Sequence, residues 1–582
     1  HENPGQTAAL HRRAAAWFGG RGLLTEAVRH ATAAHDWRLA STLVVDRLAV
    51  GDLLGLRPAP LLTSALSPMP ALVAGGVVAD LEPALVAAAL ALGGGDEKGY
   101  RSALGQGVRI LGERSQDDAT AARLTAALLR LVHARGYQEA CVGDAAADVE
   151  RLLEPIQYEL LDQRPDLRSL ALVGRAGTEM WAGQWAQAAD SFGAAHAAAV
   201  EADSTVLRFD CLAHSALVEV FRGRWECAAE LAARAALLAS TQQTSPIAQG
   251  DATLRVAQGW IALQRYQLAD ARRVLDRTDA ALLESHPWTA AVRELVSAQI
   301  AVAQGHDHRA VETLRGRRAA RSIPSWLVHR MMLMESRAHT AMGAPVAAWQ
   351  AAIRAGGSHT ADGAVALARV QLSAGHPAAA ASTLRPTLAE AVTVRSEVRV
   401  EAWLLHAQSC YGTGDLLRGR RSLDRALRLG DRERVRLPFA GCLSWLRSVL
   451  GSDRDLTRQY ARLLEPLRIG VVQCHEHGAG QRPLLAGKLS DRELEVLQHL
   501  AQMRTSEEIA TEMFVSINTV KTHLKSIYRK LAVTRRGDAV RRAHQLELLV
   551  RTAVPPPGNG HSRPSSRARR MASLRDETPS LR

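Results

Sequence analysis

The feature that most constrains the fold of this chain is a short pattern that recurs about every 40 residues. The pattern is a glycine, one further residue, an aromatic or small residue, and an alanine three positions later, and some copies depart from it at one or two positions. The copies are GQWAQA at Gly183, GRWECA at Gly223, QRYQLA at Gln264 and GHDHRA at Gly305, followed by looser forms, GAPVAA at Gly343, GHPAAA at Gly375 and GDLLRG at Gly414. A period of this length is typical of stacked helical pairs, which bury their apolar faces only against neighbouring pairs.

In each pair, the glycine is predicted to form the turn between two helices, and the alanine to lie where the helices approach closely. Hydrophobic residues make up 47% of the chain but aromatic ones only 4%, and alanine is abundant. Alanine favours helices and is depleted in strands, so the composition also predicts helices.

These units resemble tetratricopeptide-type repeats, although their period is longer than is usual in that family. The resemblance implies an all-α superhelix whose concave surface binds a peptide, a protein or a small effector. The alternative is a spacer in which the aromatic residues simply fill the core, as apolar residues at helical spacing usually do. The residues concerned are Trp181, Trp185, Trp225 and Trp260.

The segment before the array is also predicted to be helical. Residues 10–48 contain two amphipathic helices joined at a glycine-rich turn, and their AAHDWRLA segment echoes the repeat. Residues 50–155 are rich in alanine and leucine, but the period fades there. The predicted domains are an irregular helical region (1–155), the tetratricopeptide-like array (156–465), a linker (466–487), a helix-turn-helix domain (488–550) and a disordered basic tail (551–582).

Several features point to a cytoplasmic protein that does not enter a membrane. The six cysteines are scattered without a CxxC pair, which fits a reducing compartment. The most apolar stretch, residues 71–95, is interrupted by Asp80, Glu82 and Pro83, so it is predicted to form buried helices. The chain begins at His1 and not at methionine. We therefore expect it to be processed or cut from a longer product.

The C-terminal module contains three closely spaced helix-start signals. Ser490 with Glu493, and Thr505 with Glu508, are spaced as capping boxes, in which each pair satisfies two free backbone N–H groups. Ser516 is a third N-cap residue. Three capped helices with a short turn between the second and the third predict a helix-turn-helix.

The third helix is predicted to have a buried stripe opposite a basic face. On a helical wheel the stripe consists of Val520, Leu524, Ile527 and Leu531, and the other face of Asn518, Lys521, Thr522, Lys525 and Arg529. Most charged helix faces are merely solvated. However, the chain has only five lysines, and four of them (Lys488, Lys521, Lys525 and Lys530) lie in this module. This enrichment favours a phosphate-lined partner, and the net charge of +13 is consistent with one.

The segments LSDRELEVLQHLAQ and TSEEIATEMFVSINTVKTHLKSIYRKLAV resemble the C-terminal DNA-binding domain of LuxR-type transcriptional regulators. The resemblance covers about 60 residues. It implies a four-helix module whose third helix enters the major groove of DNA and whose fourth helix pairs two copies. It places Lys521, Thr522 and Lys525 at the bases, Thr519, His523 and Arg529 nearer the backbone, and Val540 and Ala543 at the dimer seam.

The chain departs from this family at three places. Met503-Arg504 replace the usual Gly-Leu, Ala532 replaces a glycine after the third helix, and Arg535 replaces a serine for which Thr534 is a substitute. Ala532 lacks the left-handed freedom of a glycine helix terminator. We therefore expect a lower stability of the module and no loss of a DNA contact.

The helical array before the module resembles the middle of the large ATP-binding LuxR-type regulators, which include the maltose-activator type. Those proteins carry an NTPase domain before the repeats, but no GxxxxGK[ST] motif occurs here. The chain is therefore either the C-terminal part of an ATP-dependent regulator or a shortened member of that group.

No other stretch indicates a catalytic or metal site, so we expect neither an enzyme nor a cofactor. Cys474, His475, Glu476 and His477 are adjacent and lack the spacing of structural zinc ligands, which favours a flexible linker. The basic tail is predicted to add nonspecific attraction to phosphates or to act only as a solubilising end.

The sequence therefore predicts a sequence-specific transcriptional regulator, and an activator more than a repressor. Its expected partners are promoter DNA, RNA polymerase, a second copy of the chain and an unknown effector on the repeat array. The alternative is a repeat scaffold whose C-terminal module does not read DNA.

Overall fold

The computed structural model describes residues 4–69, 80–114, 119–137, 142–154, 162–239, 250–278, 287–318, 323–389, 394–467, 489–502, 504–531, 536, 539–540, 543 and 548. The chain divides into two compact units, residues 1–474 and 475–582. Within the described residues there is no strand, which confirms the all-α prediction. Most of the predicted linker, the CHEH segment and the basic tail lie outside the described residues.

The first unit opens with a region of packed helices. These are α1 (Pro4–Gly20), α2 (Leu24–Ala33), α3 (Trp37–Asp46), α4 (Val50–Leu53), α5 (Pro60–Leu66), α6 (Leu81–Gly93), α7 (Glu97–Gly112), α8 (Thr120–Tyr137) and α9 (Val142–Leu153). The most apolar stretch of the sequence is described only from residue 80 onward, and residues 71–79 lie outside the described residues. In the described part, helix α6 is mostly buried in this core, as predicted. No helix in the described part of the chain has the length and hydropathy needed to cross a membrane.

The repeat array follows as a series of helical pairs. Its helices are α10 (Pro165–Trp181), α11 (Trp185–Glu201), α12 (Thr205–Arg222), α13 (Trp225–Ala239), α14 (Gly250–Gln264), α15 (Leu268–Asp276), α16 (Pro287–Ala303), α17 (Asp307–Arg318), α18 (Ser325–Ala341), α19 (Pro345–Arg354), α20 (Ala361–Ser373), α21 (Pro377–Ala389), α22 (Ser396–Gly412) and α23 (Leu416–Arg432). The first helix of each pair packs on the second and also on the first helix of the next pair, as α12 does on α14 and α20 does on α22. The even-numbered helices α10 to α22 thus form one continuous layer of the stack.

Short helices form the last described part of the first unit. They are α24 (Leu437–Ala440), α25 (Leu443–Ser452), α26 (Arg454–Gln459) and α27 (Ala461–Leu464). Phe439 and Leu446 are fully buried in the core cluster that these helices share with α22 and α23. The array is therefore capped by helices that bury its last apolar face.

The predicted turn glycines lie between the helices of each pair. Gly183, Gly223, Gly305, Gly343, Gly375 and Gly414 all have a left-handed backbone, with φ between +72° and +84°. At Gly183, the N–H groups of Gly183 and Gln184 donate to the carbonyls of Met180 and Glu179 at 3.0 and 2.8 Å. This is the Schellman arrangement, in which glycine avoids the steric cost of a Cβ atom.

The predicted alanines are buried where the paired helices meet. Ala188, Ala228, Ala310, Ala348 and Ala380 are each fully buried. Some of the four tryptophans fill the core of the array, and others have surface that a partner could contact. Trp225 and Trp260 are buried, Trp185 is partly buried, and Trp181 is 37% exposed.

The repeat copy predicted to begin at Gln264 starts two residues before the turn residue of that pair. Gln264 is the last residue of α14, and the turn position is held by Tyr266, with φ at +61°. Tyr266 and Gln267 donate to the carbonyls of Leu263 and Ala262, both at 2.9 Å, in the same Schellman arrangement. The alignment was wrong because a search for glycine misses a turn in which an L-residue accepts the left-handed backbone.

Candidate nucleic-acid interface

The second unit contains the three helices predicted from the helix-start signals. They are α28 (Asp491–Ala501), α29 (Ser506–Glu512) and α30 (Ile517–Lys530), and α30 packs on both others. Both capping boxes are present. Ser490 Oγ accepts the N–H of Glu493 at 3.3 Å and Glu493 Oε2 accepts the N–H of Ser490 at 2.7 Å. Thr505 and Glu508 repeat this exchange at 3.3 and 2.7 Å.

A four-residue turn separates α29 from α30. Its second residue, Phe514, has φ at +54° and is 96% exposed. The N–H of Val515 donates to the carbonyl of Ala510 at 3.0 Å, which closes α29. Ser516 then accepts the N–H of Thr519 at 3.1 Å and starts α30 as its N-cap residue. The predicted helix-turn-helix connection is therefore present.

The buried stripe of α30 lies as the helical wheel predicts. Val520, Ile527 and Leu531 are fully buried, and Leu524 is partly buried against the same cluster. The cluster also contains Val496, Leu497, Leu500 and Ile509 from the other two helices. Because this stripe holds α30 against the module, the opposite side of the helix faces outward.

The outward side of α30 is exposed and free of acidic residues. Asn518, Lys521, Thr522 and Lys525 are all exposed, and no residue of α30 is acidic. Within the described part of the chain, neither Lys521 nor Lys525 forms an ion pair. Thr522 Oγ1 donates to the carbonyl of Asn518 at 2.9 Å, so its hydroxyl proton is already used within the helix.

The residues predicted to lie nearer the DNA backbone differ in their settings. Thr519 is exposed at the start of α30, and its Oγ1 lies 2.8 Å from Ser516 Oγ. His523 is partly buried. The side chain of Arg529 lies outside what the structure describes. The first turn of α30 thus adds a hydroxyl pair beside the lysine face.

Lys530 does not belong to this face. Its Nζ lies 2.6 Å from Glu493 Oε2, so it ties the end of α30 to the start of α28. Burial by itself would raise the pKa of Glu493, but hydrogen bonds from Lys530, Ser526 and the Ser490 N–H lower this pKa to about 2. Lys530 was one of the lysines that suggested a phosphate-binding helix, but its role in the structure is to stabilise the module.

Arg536 has a role that was not recognised in the sequence. Its Nη2 donates to the carbonyls of Arg504 at 2.8 Å and Leu500 at 3.3 Å, next to the C-terminal end of α28. Carbonyls at a helix end lack partners within the helix, and a cation there is favourable. The only signal in the sequence is a basic residue close to the family's capping position.

The two residues predicted for a dimer seam are not equally accessible. Ala543 is fully buried in the core cluster of the module, while Val540 is partly buried beside that cluster. Of the two, Val540 therefore has side-chain surface to offer to a second copy. Met503, Ala532, Thr534 and Arg535, where the sequence departs from the family pattern, lie outside the described residues.

Comparisons with known proteins agree with this geometry. Residues 487–543 match the family described as bacterial regulatory proteins, luxR family. The chain is also 38% identical, over 115 residues, to the transcriptional regulatory protein LiaR of Bacillus subtilis (strain 168), a match that covers 19% of this chain and 54% of LiaR. The chain thus spans about half the length of this relative. The C-terminal unit contains a LuxR-family helix-turn-helix domain.

Among solved structures, the chain is matched with the crystal structure of the P58(IPK) TPR domain. The match covers 68% of this chain and 97% of that chain, with 14% sequence identity. Its TM-score is 0.22, a value too low to indicate a shared fold.

Proposed function

We propose that this protein is a sequence-specific DNA-binding transcriptional regulator whose helix α30 enters the major groove. The observation that carries the proposal is the exposed, acid-free face of α30, with Lys521, Thr522 and Lys525 opposite a fully buried stripe. Lysine ammonium groups donate to guanine O6 and N7 or to phosphate oxygens, and a threonine methyl group contacts the methyl group of thymine. The matched family supports this assignment, and LiaR is by its name a transcriptional regulatory protein.

The polar start of α30 has a second role in this proposal. Thr519 and the free N–H groups of the first turn lie where a helix in the major groove approaches a phosphate. Phosphate contacts position the module on the duplex, and the lysine face then reads the bases. Binding as a dimer, with half-sites about one helical turn apart, places Val540 at the contact between copies.

The activity of the whole protein is part of the same proposal. We infer an activator that also contacts RNA polymerase, with the repeat array as the sensor or assembly domain. We further infer that it belongs with the large ATP-binding regulators, whose NTPase domain has no counterpart in this sequence.

The test is a selection of genomic DNA fragments with the full chain, followed by salt-titrated binding of single variants. Lys521→Ala and Lys525→Ala should each weaken binding to the selected motif, relative to random DNA, by about 1–3 kcal/mol. Arg492→Ala is the matched control, because Arg492 is an exposed cation of the same module on α28, paired with Glu495 at 2.8 Å. It should leave this preference unchanged.

Two results would contradict the proposal. One is that no motif is enriched from the genomic fragments. The other is that the Lys521 and Lys525 variants keep the preference of the parent chain. Either result would favour a repeat scaffold whose C-terminal module does not read DNA.

A further inference from the structure

A cavity of about 460 Å³ opens in the first unit, inside the repeat array. Its walls come from α14, α16, α18, α20 and α22, which are the first helices of successive pairs, and from the short helix α24. Cavities of this size commonly hold small molecules. The cavity therefore has the dimensions of a small-molecule site, and it lies on the helix layer that runs through the whole array.

Charged side chains on the cavity wall are mostly paired with one another. Arg395 pairs with Asp362, and also with Glu397 at 2.6 Å. Glu401 pairs with Arg369, and also with Arg337 at 3.3 Å. Glu397 in addition accepts the indole N–H of Trp225 at 3.1 Å. All three carboxylates of the wall are therefore already engaged.

Arg330 is the fourth guanidinium of the wall and forms no ion pair with a carboxylate within the described ranges of the chain. Its Nη2 donates to the carbonyl of Phe221 at 3.2 Å. Its central carbon lies 4.9 Å from the centroid of the Phe221 ring and 5.8 Å from that of Trp260. A guanidinium has five N–H donors in a planar fork, so most of its donors are left for another partner.

The surroundings of Arg330 make this position costly without an anion. Burial, and then the nearby Arg395, lower the pKa of Arg330 to about 9, and the charges of Asp362 and Glu397 offset this only in part. The group is still charged at neutral pH. Among the described residues of the wall, four guanidinium groups face three carboxylates, which leaves one positive charge in excess. A bound anion would cancel this excess and satisfy the free donors.

We infer that this cavity binds a small organic anion, a carboxylate or a phosphate ester with an apolar body, whose charged group is held by Arg330. Leu333, Val365 and Leu404 supply apolar wall for the body of the ligand. Gln264, Gln299 and Gln408 supply amide groups that orient polar substituents. That this anion is the effector of the regulator rests on the proposed function, whereas its binding does not.

Calorimetric titration of the full chain tests the inference with a matched set of probes. Phenylacetate and phenyl phosphate carry the anion, and phenylacetamide is the neutral counterpart of phenylacetate. All titrations are made at constant ionic strength. The parent chain should bind at least one of the two anions tenfold or more tightly than phenylacetamide. The better anion identifies the carboxylate or the phosphate as the preferred group.

Three variants test whether Arg330 is responsible for the preference for the anion. Arg330→Met keeps an unbranched side chain of similar apolar stem but removes the charged guanidinium group, and should abolish the preference for the anion. Arg330→Lys should retain part of it. Arg255→Met is the matched control, because Arg255 lies on α14, outside the cavity wall, and is paired with Asp251 at 2.8 Å. It should bind as the parent does.

The inference is overturned if the parent binds phenylacetamide as well as it binds the anions. It is also overturned if Arg330→Met, with a thermal unfolding transition like that of the parent, keeps the preference. DNA selection with the same protein separates the two proposals. Anion binding without an enriched DNA motif would support the cavity assignment and reject the proposed regulator. An enriched DNA motif without anion binding would support the regulator and reject the cavity assignment.

Discussion

Lys530 Nζ and Glu493 Oε2 lie 2.6 Å apart and join the end of α30 to the start of α28. The same carboxylate oxygen closes the capping box by accepting the N–H of Ser490 at 2.7 Å. One buried glutamate therefore both starts the first helix of the module and holds its third helix in place. The outward face of α30, with Lys521 and Lys525, depends on this contact for its position.

Glu493 should make the stability of the module depend on pH in the acid range. Its pKa is lowered from 4.5 to about 2 on folding. The carboxylate therefore stabilises the folded module fully above about pH 4.5, and this contribution is lost as the pH falls towards 2. Glu493→Gln should cost up to about 3 kcal/mol at neutral pH and flatten this acid dependence.

Hydrogen exchange of peptides from residues 489–531 measures this change, because the chain has no tryptophan in that region. Glu495→Gln is the control, since Glu495 pairs with the exposed Arg492 at 2.8 Å on the same helix. It should cost no more than about 0.5 kcal/mol. An equal loss in both variants would contradict the special role of Glu493.

Phe514 should be a site where a substitution increases stability. Its side chain is 96% exposed and its φ is +54°, a backbone that asparagine adopts more easily than phenylalanine. Phe514→Asn should therefore raise the free energy of unfolding of the module by about 1 kcal/mol. Phe514→Ala keeps the unfavourable backbone and should change little. Slower hydrogen exchange in the asparagine variant alone would agree with this explanation, and equal exchange in both would not.

Thr522 should act on DNA through its methyl group. The proton of its hydroxyl is already donated to the carbonyl of Asn518. Thr522→Val keeps the methyl group, replaces the hydroxyl by a second methyl, and should bind the selected motif within about 0.5 kcal/mol of the parent. Thr522→Ser removes the methyl group and should lose about 1 kcal/mol at a thymine position. Competition binding with motif variants measures both effects. A reversed order would assign the recognition to the hydroxyl group.

Arg536 should be required for the stability of the module. It donates to the carbonyls of Leu500 and Arg504, and charged hydrogen bonds of this kind are worth about 1.5–3 kcal/mol. Arg536→Met should therefore lower the free energy of unfolding of the module by about that amount, as measured by hydrogen exchange. Arg492→Met should have little effect. A stable Arg536 variant would show that water replaces these contacts without loss.

The turn glycines should differ in their tolerance of alanine. At Gly223 an added Cβ would lie 2.7 Å from Glu397 Oε2 and 2.9 Å from the backbone nitrogen of Ser396, whereas at Gly305 it would meet nothing within 4 Å. Both residues have a left-handed backbone. Gly305→Ala should therefore cost about 1 kcal/mol and Gly223→Ala more than about 3 kcal/mol. Urea unfolding followed by tryptophan fluorescence measures the loss of stability in both variants. Equal losses would mean that the left-handed backbone alone, and not the contacts of the added Cβ atom, sets the cost.

The sequence by itself determined the features that depend on residues close together in the chain, namely the turns, the helix starts and the buried face of each helix. The period and the glycines predicted the turns of the array, and Gly183 and Gly414 have the left-handed backbone that such turns need. The capping residues predicted the starts of the three helices described in the C-terminal module, and helical spacing placed Val520 and Ile527 in its core. Each of these inferences depends on residues within a few positions of one another, which is why the sequence was sufficient.

Tertiary structure decided which charged groups have partners. Lys530 and Arg529 are neighbours in sequence, but only the approach of α28 brings Glu493 to Lys530. Among the described residues, Arg330 forms no ion pair because the packing of distant helices directs Asp362, Glu397 and Glu401 to other guanidinium groups. Ion pairs depend on distances between atoms far apart along the chain, and no local pattern contains those distances. The order of the residues therefore predicted the helices and their faces, and only the packing of the helices decided where a charge remains free to bind.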